Sequence, residues 1–172
     1  RISQGDVPYR DFVLPQSPGT FLLQALIVKA FPPYVFHIIY AALLCGLGNV
    51  LTYFISLRLL EGRISRANIA AFFLTLPAAF LGIYCVYPHP FYDPDTAFFI
   101  LFAVWLYLRW DRQSFRGWRG YFTGCFFSIP FFFKQNIGLF FMAGSGVVFL
   151  YLFSREKESF FSRRHLKIVA GC

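Results

Sequence analysis

Five apolar runs, at 34–60, 69–87, 94–110, 117–133 and 137–153, follow one another with only short polar segments between them. Each is long enough to cross a hydrocarbon core, which takes roughly 17–25 residues of helix. A chain that repeats this pattern can be the interior of a large soluble domain or a set of membrane helices. The charge content decides between them. Only 14% of the residues are charged and 58% are hydrophobic, whereas soluble domains carry roughly 25% charged residues. The expectation is an all-α, polytopic transmembrane bundle of about five spans. Position 1 is Arg and a further apolar run starts at 168–172, so the chain reads as part of one longer membrane domain. The four cysteines, at 45, 85, 125 and 172, form no CxxC pair, and are expected to be small packing residues.

The first 33 residues differ from everything after them. The segment 5–19 contains Asp6, Asp11 and Arg10 with three prolines and two glycines. Proline fixes φ and glycine admits positive φ, so this is a shaped loop. The apolar segment 20–31, interrupted by Gln24 and Lys29, is too short to span and is expected to be a helix lying at the membrane surface. Pro32 and Pro33 end it. His37 follows at the start of the first span, with no second His or Cys at metal spacing, and reads as an interfacial or satisfied histidine. A second acidic loop, 88–95, carries His89, Asp93 and Asp95 among three prolines.

The last two runs, on either side of Lys134-Gln135-Asn136, admit a second reading as one helix over 121–153. At 1.5 Å per residue such a helix would be about 50 Å long, well beyond the bilayer core. It would also hold Lys134 near mid-membrane, at a cost of about 2.5–3.5 kcal/mol on insertion scales. A hairpin turning at Lys134 is favoured. With that hairpin, three basic turns share one side: Arg58, Arg63 and Arg66; Arg109, Arg112, Arg116 and Arg119; and Arg155, Lys157, Arg163, Arg164 and Lys167. The other side keeps Arg1, Arg10, Lys29 and Lys134. The positive-inside rule places the basic turns in the cytoplasm and the loops 5–19, 88–95 and 134–136 outside it. The formal net charge of +8 is accounted for by membrane topology, and nucleic acid is not an expected partner.

Sorting by side gathers Asp6, Arg10, Asp11, His89, Asp93, Asp95 and Lys134 on one face. A carboxylate there can accept a proton from an acceptor hydroxyl, and Lys or Arg can hold the phosphate of a lipid-linked donor. Plainer roles exist for each residue. Asp93-Pro94 is also the pattern of a helix N-cap followed by proline. Asp95 also suits the positive end of that helix. Arg10 and Asp11 are also placed to form a local surface pair of little energetic value, and Lys134 to snorkel from a turn. No Gly-rich phosphate loop, HExxH or Gly-x-Ser-x-Gly occurs, so soluble-nucleotide and protease chemistries have no support.

Three stretches carry a family resemblance. The first is Gly5-Asp6-Val7-Pro8-Tyr9-Arg10-Asp11-Phe12, followed by Ser17-Pro18-Gly19 and Phe21-Leu22-Leu23-Gln24-Ala25-Leu26. The second is Tyr92-Asp93-Pro94 leading to Phe98-Phe99 and Leu108-Arg109, and the third runs from Gly124 to Phe133-Lys134-Gln135-Asn136-Ile137-Gly138. In this order they resemble the outer loops of GT-C membrane glycosyltransferases. That group includes lipid A aminoarabinose transferases, galacturonosyltransferase-like inner-membrane proteins and, more distantly, protein O-mannosyltransferases. The resemblance implies inverting transfer of a sugar from a polyprenyl-phosphate carrier to a glycan, lipid or protein acceptor, outside the cytoplasm and at a bacterial inner membrane. It implies Asp11 and Asp93 as the working carboxylates, and Lys134, Arg10, Asp95, Tyr9 and Gln135 as substrate contacts. Some members bind a divalent metal, for which His89 with Asp93 is the candidate here. The family's best-known acidic pair lies before the first of these loops and so would precede Arg1. Two other functions fit the same spans: a transporter or flippase, and a non-catalytic membrane scaffold. Transporters place charge at mid-membrane along the substrate path, whereas these charges sit at the ends of the runs.

Overall fold

A computed structural model describes residues 1–12, 17–31, 34–82, 91–110 and 118–155. Among them are six α-helices and no β-strand: α1 (Gly19–Ala30), α2 (Val35–Leu60), α3 (Ala67–Leu81), α4 (Tyr92–Trp110), α5 (Trp118–Phe133) and α6 (Gln135–Arg155). A short 3-10 turn, Ile2–Gln4, precedes them. The helical fold class read from the apolar runs is therefore what the chain adopts. Of the described helices, only α2 is both long and apolar enough to cross a membrane. Its 26 residues extend about 39 Å.

The helix ends follow from local chemistry. α1 stops just before Pro32-Pro33, a pair that supplies no backbone donor. α2 closes with Glu61 N–H on the Leu57 carbonyl at 2.9 Å and Ile64 N–H on the Leu60 carbonyl at 3.2 Å. Gly62 follows at φ +80°, a left-handed turn that glycine adopts without a Cβ clash. α4 begins earlier than the apolar pattern suggests. Asp93 and Asp95 lie in its first turn, where a carboxylate favours the positive helix end; these two, expected in an acidic loop, are helical instead, and 88–90 lie outside the described residues. Lys134 alone separates α5 from α6, so Gln135 and Asn136 belong to the helix and not to the turn.

The helices pack in a row, α3 against α2, α2 against α4, α4 against α5 and α5 against α6, while α1 touches α2, α4 and α5. The hairpin at Lys134 is explicit in the aromatic contacts. Phe127 of α5 stacks on Phe141 of α6 with ring centroids 5.2 Å apart, and lies 5.6 Å from Phe149. A single straight helix would hold residues 127 and 149 about 33 Å apart. Ala103, Phe127 and Phe149 form the small core, with Tyr107, Phe126 and Phe141 packed around it.

Among the described residues, six polar residues are buried beside eight hydrophobic ones. The largest fully buried side chains are Thr96, Thr123, Asp95 and Pro130, while Phe72, Phe73, Leu74, Phe80, Phe140 and Val147 point outward. Buried hydroxyls need partners. Thr75 donates to the Ala71 carbonyl at 2.9 Å and Thr96 to the Tyr92 carbonyl at 2.5 Å, each one turn back on its own helix.

Candidate active site at the ends of α4, α5 and α6

The hairpin turn aims Lys134 at the start of α4. Its Nζ donates to Asp93 Oδ1 and lies 5.0 Å from the centroid of the Tyr92 ring. The pair is partly sheltered, with the Lys134 side chain 30% and the Asp93 side chain 16% exposed. A charge-assisted bond of this kind is stronger than a neutral one, and the nearby ring face adds a favourable cation–π contact.

Asp95, two residues on, has a different environment. It is 0% exposed. Thr20 Oγ1 of α1 donates to its Oδ2 at 2.5 Å, and the Tyr40 hydroxyl of α2 donates to its Oδ1 at 2.8 Å. Neither Thr20 nor Tyr40 stood out in the sequence, because isolated hydroxyl residues in apolar runs carry no periodic signal. Ser17 Oγ accepts the backbone N–H of Gln135 at 3.2 Å, so a residue of the first loop caps α6 across 118 positions of chain. Gly19 comes so close that a Cβ would stand 2.6 Å from the Phe132 carbonyl oxygen. Gln24 of α1 bonds His37 Nδ1 of α2 through its side-chain oxygen. His37 is thus a satisfied helix-contact residue, one of the two roles its position suggested.

The first loop closes on itself. Arg10 Nε and Nη2 donate to the two oxygens of Asp11 at 2.9 and 2.8 Å, and the Val7 N–H donates to Asp11 Oδ2 at 2.7 Å. Arg1 pairs with Asp6 at 3.0 Å and lies over the Phe12 ring. Tyr9, an exposed residue, holds φ +67°, a left-handed conformation that costs a non-glycine residue about 1–3 kcal/mol. The structure therefore brings Asp93, Asp95, Lys134 and Gln135 together, while Arg10 and Asp11 brace their own turn. His89 lies outside the described residues. Among those described, no group of three His, Cys, Asp or Glu side chains gathers where a metal ion could be held.

The Arg10 fork, followed by the Val7 N–H, holds the Asp11 carboxyl below the usual carboxylate range. A depressed folded value means that the contribution of Asp11 to the loop is complete above the unfolded value and is lost as pH falls through the folded one. In an amide NMR titration of the protein in micelles, the Val7 N–H resonance is expected to shift in acid with a midpoint below that of an unpaired aspartate. An ordinary midpoint would show that the Arg10–Asp11 fork does not form. No family model, curated protein or solved structure matches this chain.

Proposed function

We propose that this chain supplies about five spans of a GT-C-type membrane glycosyltransferase, moving a sugar from a polyprenyl-phosphate donor to an acceptor on the extracytoplasmic side of a bacterial inner membrane. The observation that carries the reading is the Asp93–Lys134 pair: a carboxylate from the first turn of α4 and an ammonium from the α5–α6 turn, side by side and partly open to solvent. In this mechanism an acceptor hydroxyl enters beside Asp93, which takes its proton. The hydroxyl oxygen bonds to the anomeric carbon as the bond from that carbon to the phosphate oxygen breaks. The polyprenyl phosphate departs with both bonding electrons, and Lys134 neutralises its developing charge. The ion pair keeps both groups oriented until substrate separates them.

Two further features support a membrane setting. The apolar side chains on the outer faces of α2, α3 and α6 form more apolar surface than water-soluble monomers usually expose. Arg58 and Arg109 lie in the last turns of α2 and α4, about 20–27 Å along those helices from the Tyr40–Asp95 contact. That separation of a basic end from an acid-bearing end suits a cytoplasmic and an outer face.

The test is sugar transfer from a prenyl-phosphate-linked sugar by membranes carrying the full-length protein. Asp93→Asn is expected to lower turnover by about 10²–10⁴-fold, the usual worth of a general base. Wild-type turnover in Asp93→Asn would remove that residue from the chemistry.

A further inference from the structure

We infer that the first turn of α1 is a clamp that positions Lys134, with Thr20 acting through buried Asp95 as its anchor. Three contacts hold this turn and the residues leading into it, and all fall within a few residues of the Asp93–Lys134 pair. Ser17 Oγ accepts the N–H of Gln135, the residue after Lys134. Gly19 lies against the backbone of Phe132 and the ring of Phe133, the two residues before it. Thr20 Oγ1 donates to Asp95, two residues beyond Asp93. α1 thus grips the Lys134 turn from both sides and ties it to the same helix start that carries Asp93.

The chemistry assigns the anchoring role to Asp95 and not to substrate contact. Its residue is fully buried, and each of its oxygens already accepts a hydroxyl, one from α1 and one from α2. A buried carboxylate without such donors is costly, so docking of α1 and satisfaction of Asp95 are one event. Gly19 permits the approach: any side chain there would meet the Phe132 carbonyl. Thr20 and Asp95 are positioning residues, because they act on the pair through the backbone of α4 and the hairpin. The purpose given to Lys134 rests on the reading above, whereas the clamp itself does not.

The experiment therefore reads the clamp without any sugar. The full-length protein in native membranes is treated with an amine-reactive ester, and the labelling rate of Lys134 is followed by peptide mass spectrometry, with exposed Lys29 as internal reference. In the wild type, Lys134 is expected to label slowly relative to Lys29. Thr20→Val removes a hydrogen bond to a buried carboxylate and is expected to raise relative Lys134 labelling about tenfold. Thr20→Ser, which keeps the hydroxyl, is expected to restore the wild-type rate. Thr75→Val makes the same chemical change on α3, where the hydroxyl bonds only its own helix, and is expected to leave Lys134 labelling unchanged. Equal labelling in Thr20→Val and wild type, or an equally large rise in Thr75→Val, would overturn the clamp. Intact labelling behaviour with no sugar transfer in the wild type would overturn the enzymatic reading and leave the clamp standing.

Discussion

Lys134→Met is expected to lower sugar transfer about 10²–10³-fold and to destabilise the protein, and the double variant with Asp93→Asn is expected to recover stability without recovering transfer. The single change leaves the Asp93 carboxylate, 16% exposed, without its cation. Breaking a fully buried pair costs about 3–5 kcal/mol and an exposed one under about 1 kcal/mol, so a half-sheltered pair is expected to cost about 2 kcal/mol. Asn at position 93 removes the stranded charge, and the double variant then loses far less than the sum of the two singles. Transfer responds differently, since neither proton acceptor nor phosphate contact remains. Losing one preorganised electrostatic contact costs about 10²–10³ in turnover. Chemical unfolding in micelles and transfer in membranes give the two readouts. Additive stability losses, with no coupling between positions 93 and 134, would show that the pair is not formed.

Gly138→Ala is expected to open the α5–α6 hairpin, reversing the usual effect of this substitution. Within an ordinary exposed helix, Ala in place of Gly gains about 1 kcal/mol. At position 138 the added Cβ would stand 2.3 Å from both the Cα and the N of Phe131. Those are backbone atoms of the opposing helix, and no rotamer change can relieve the overlap. The two helices must separate at their turn, which pulls Phe141 from Phe127 and moves Lys134. A loss of about 1–3 kcal/mol, the range for overpacked sites, is expected. Gly144 and Gly146 supply the contrast on the same helix, because a Cβ at either meets nothing within 4 Å. Gly144→Ala and Gly146→Ala are expected to be neutral or slightly stabilising. Thermal unfolding of the three variants in one detergent decides the matter: a Gly138→Ala protein as stable as Gly144→Ala would rule out the tight hairpin.

The gap between sequence and structure is clearest at the carboxylates. Asp11 stands in the most distinctive stretch of the chain, with Pro and Gly on both sides, and sequence reasoning gave it the leading role. In the fold it is answered locally, by Arg10 next to it and the Val7 N–H four residues back. Nothing in composition separates a carboxylate that meets its neighbour from one that meets a distant loop. Asp93 and Asp95, two positions apart, were both expected at the substrate, Asp93 as a working carboxylate and Asp95 as a contact. A step of two along a helix turns the side chain by about 200°. That rotation sends Asp93 to Lys134 and Asp95 into the junction with Thr20 and Tyr40.

What the sequence determined by itself is the class of fold and the places where the chain breaks. Long apolar runs admit little besides helix, and the Pro32-Pro33 pair and the polar Lys134 mark breaks that depend on local backbone chemistry. What only the tertiary structure decided is which polar groups meet. The Ser17–Gln135, Thr20–Asp95 and Lys134–Asp93 contacts join residues 41 to 118 positions apart. Their formation depends on helix rotation and on two close backbone approaches, at Gly19 and Gly138. The same glycines in an open helix would look identical in sequence, because close approach is a property of the partner helix and not of the residue.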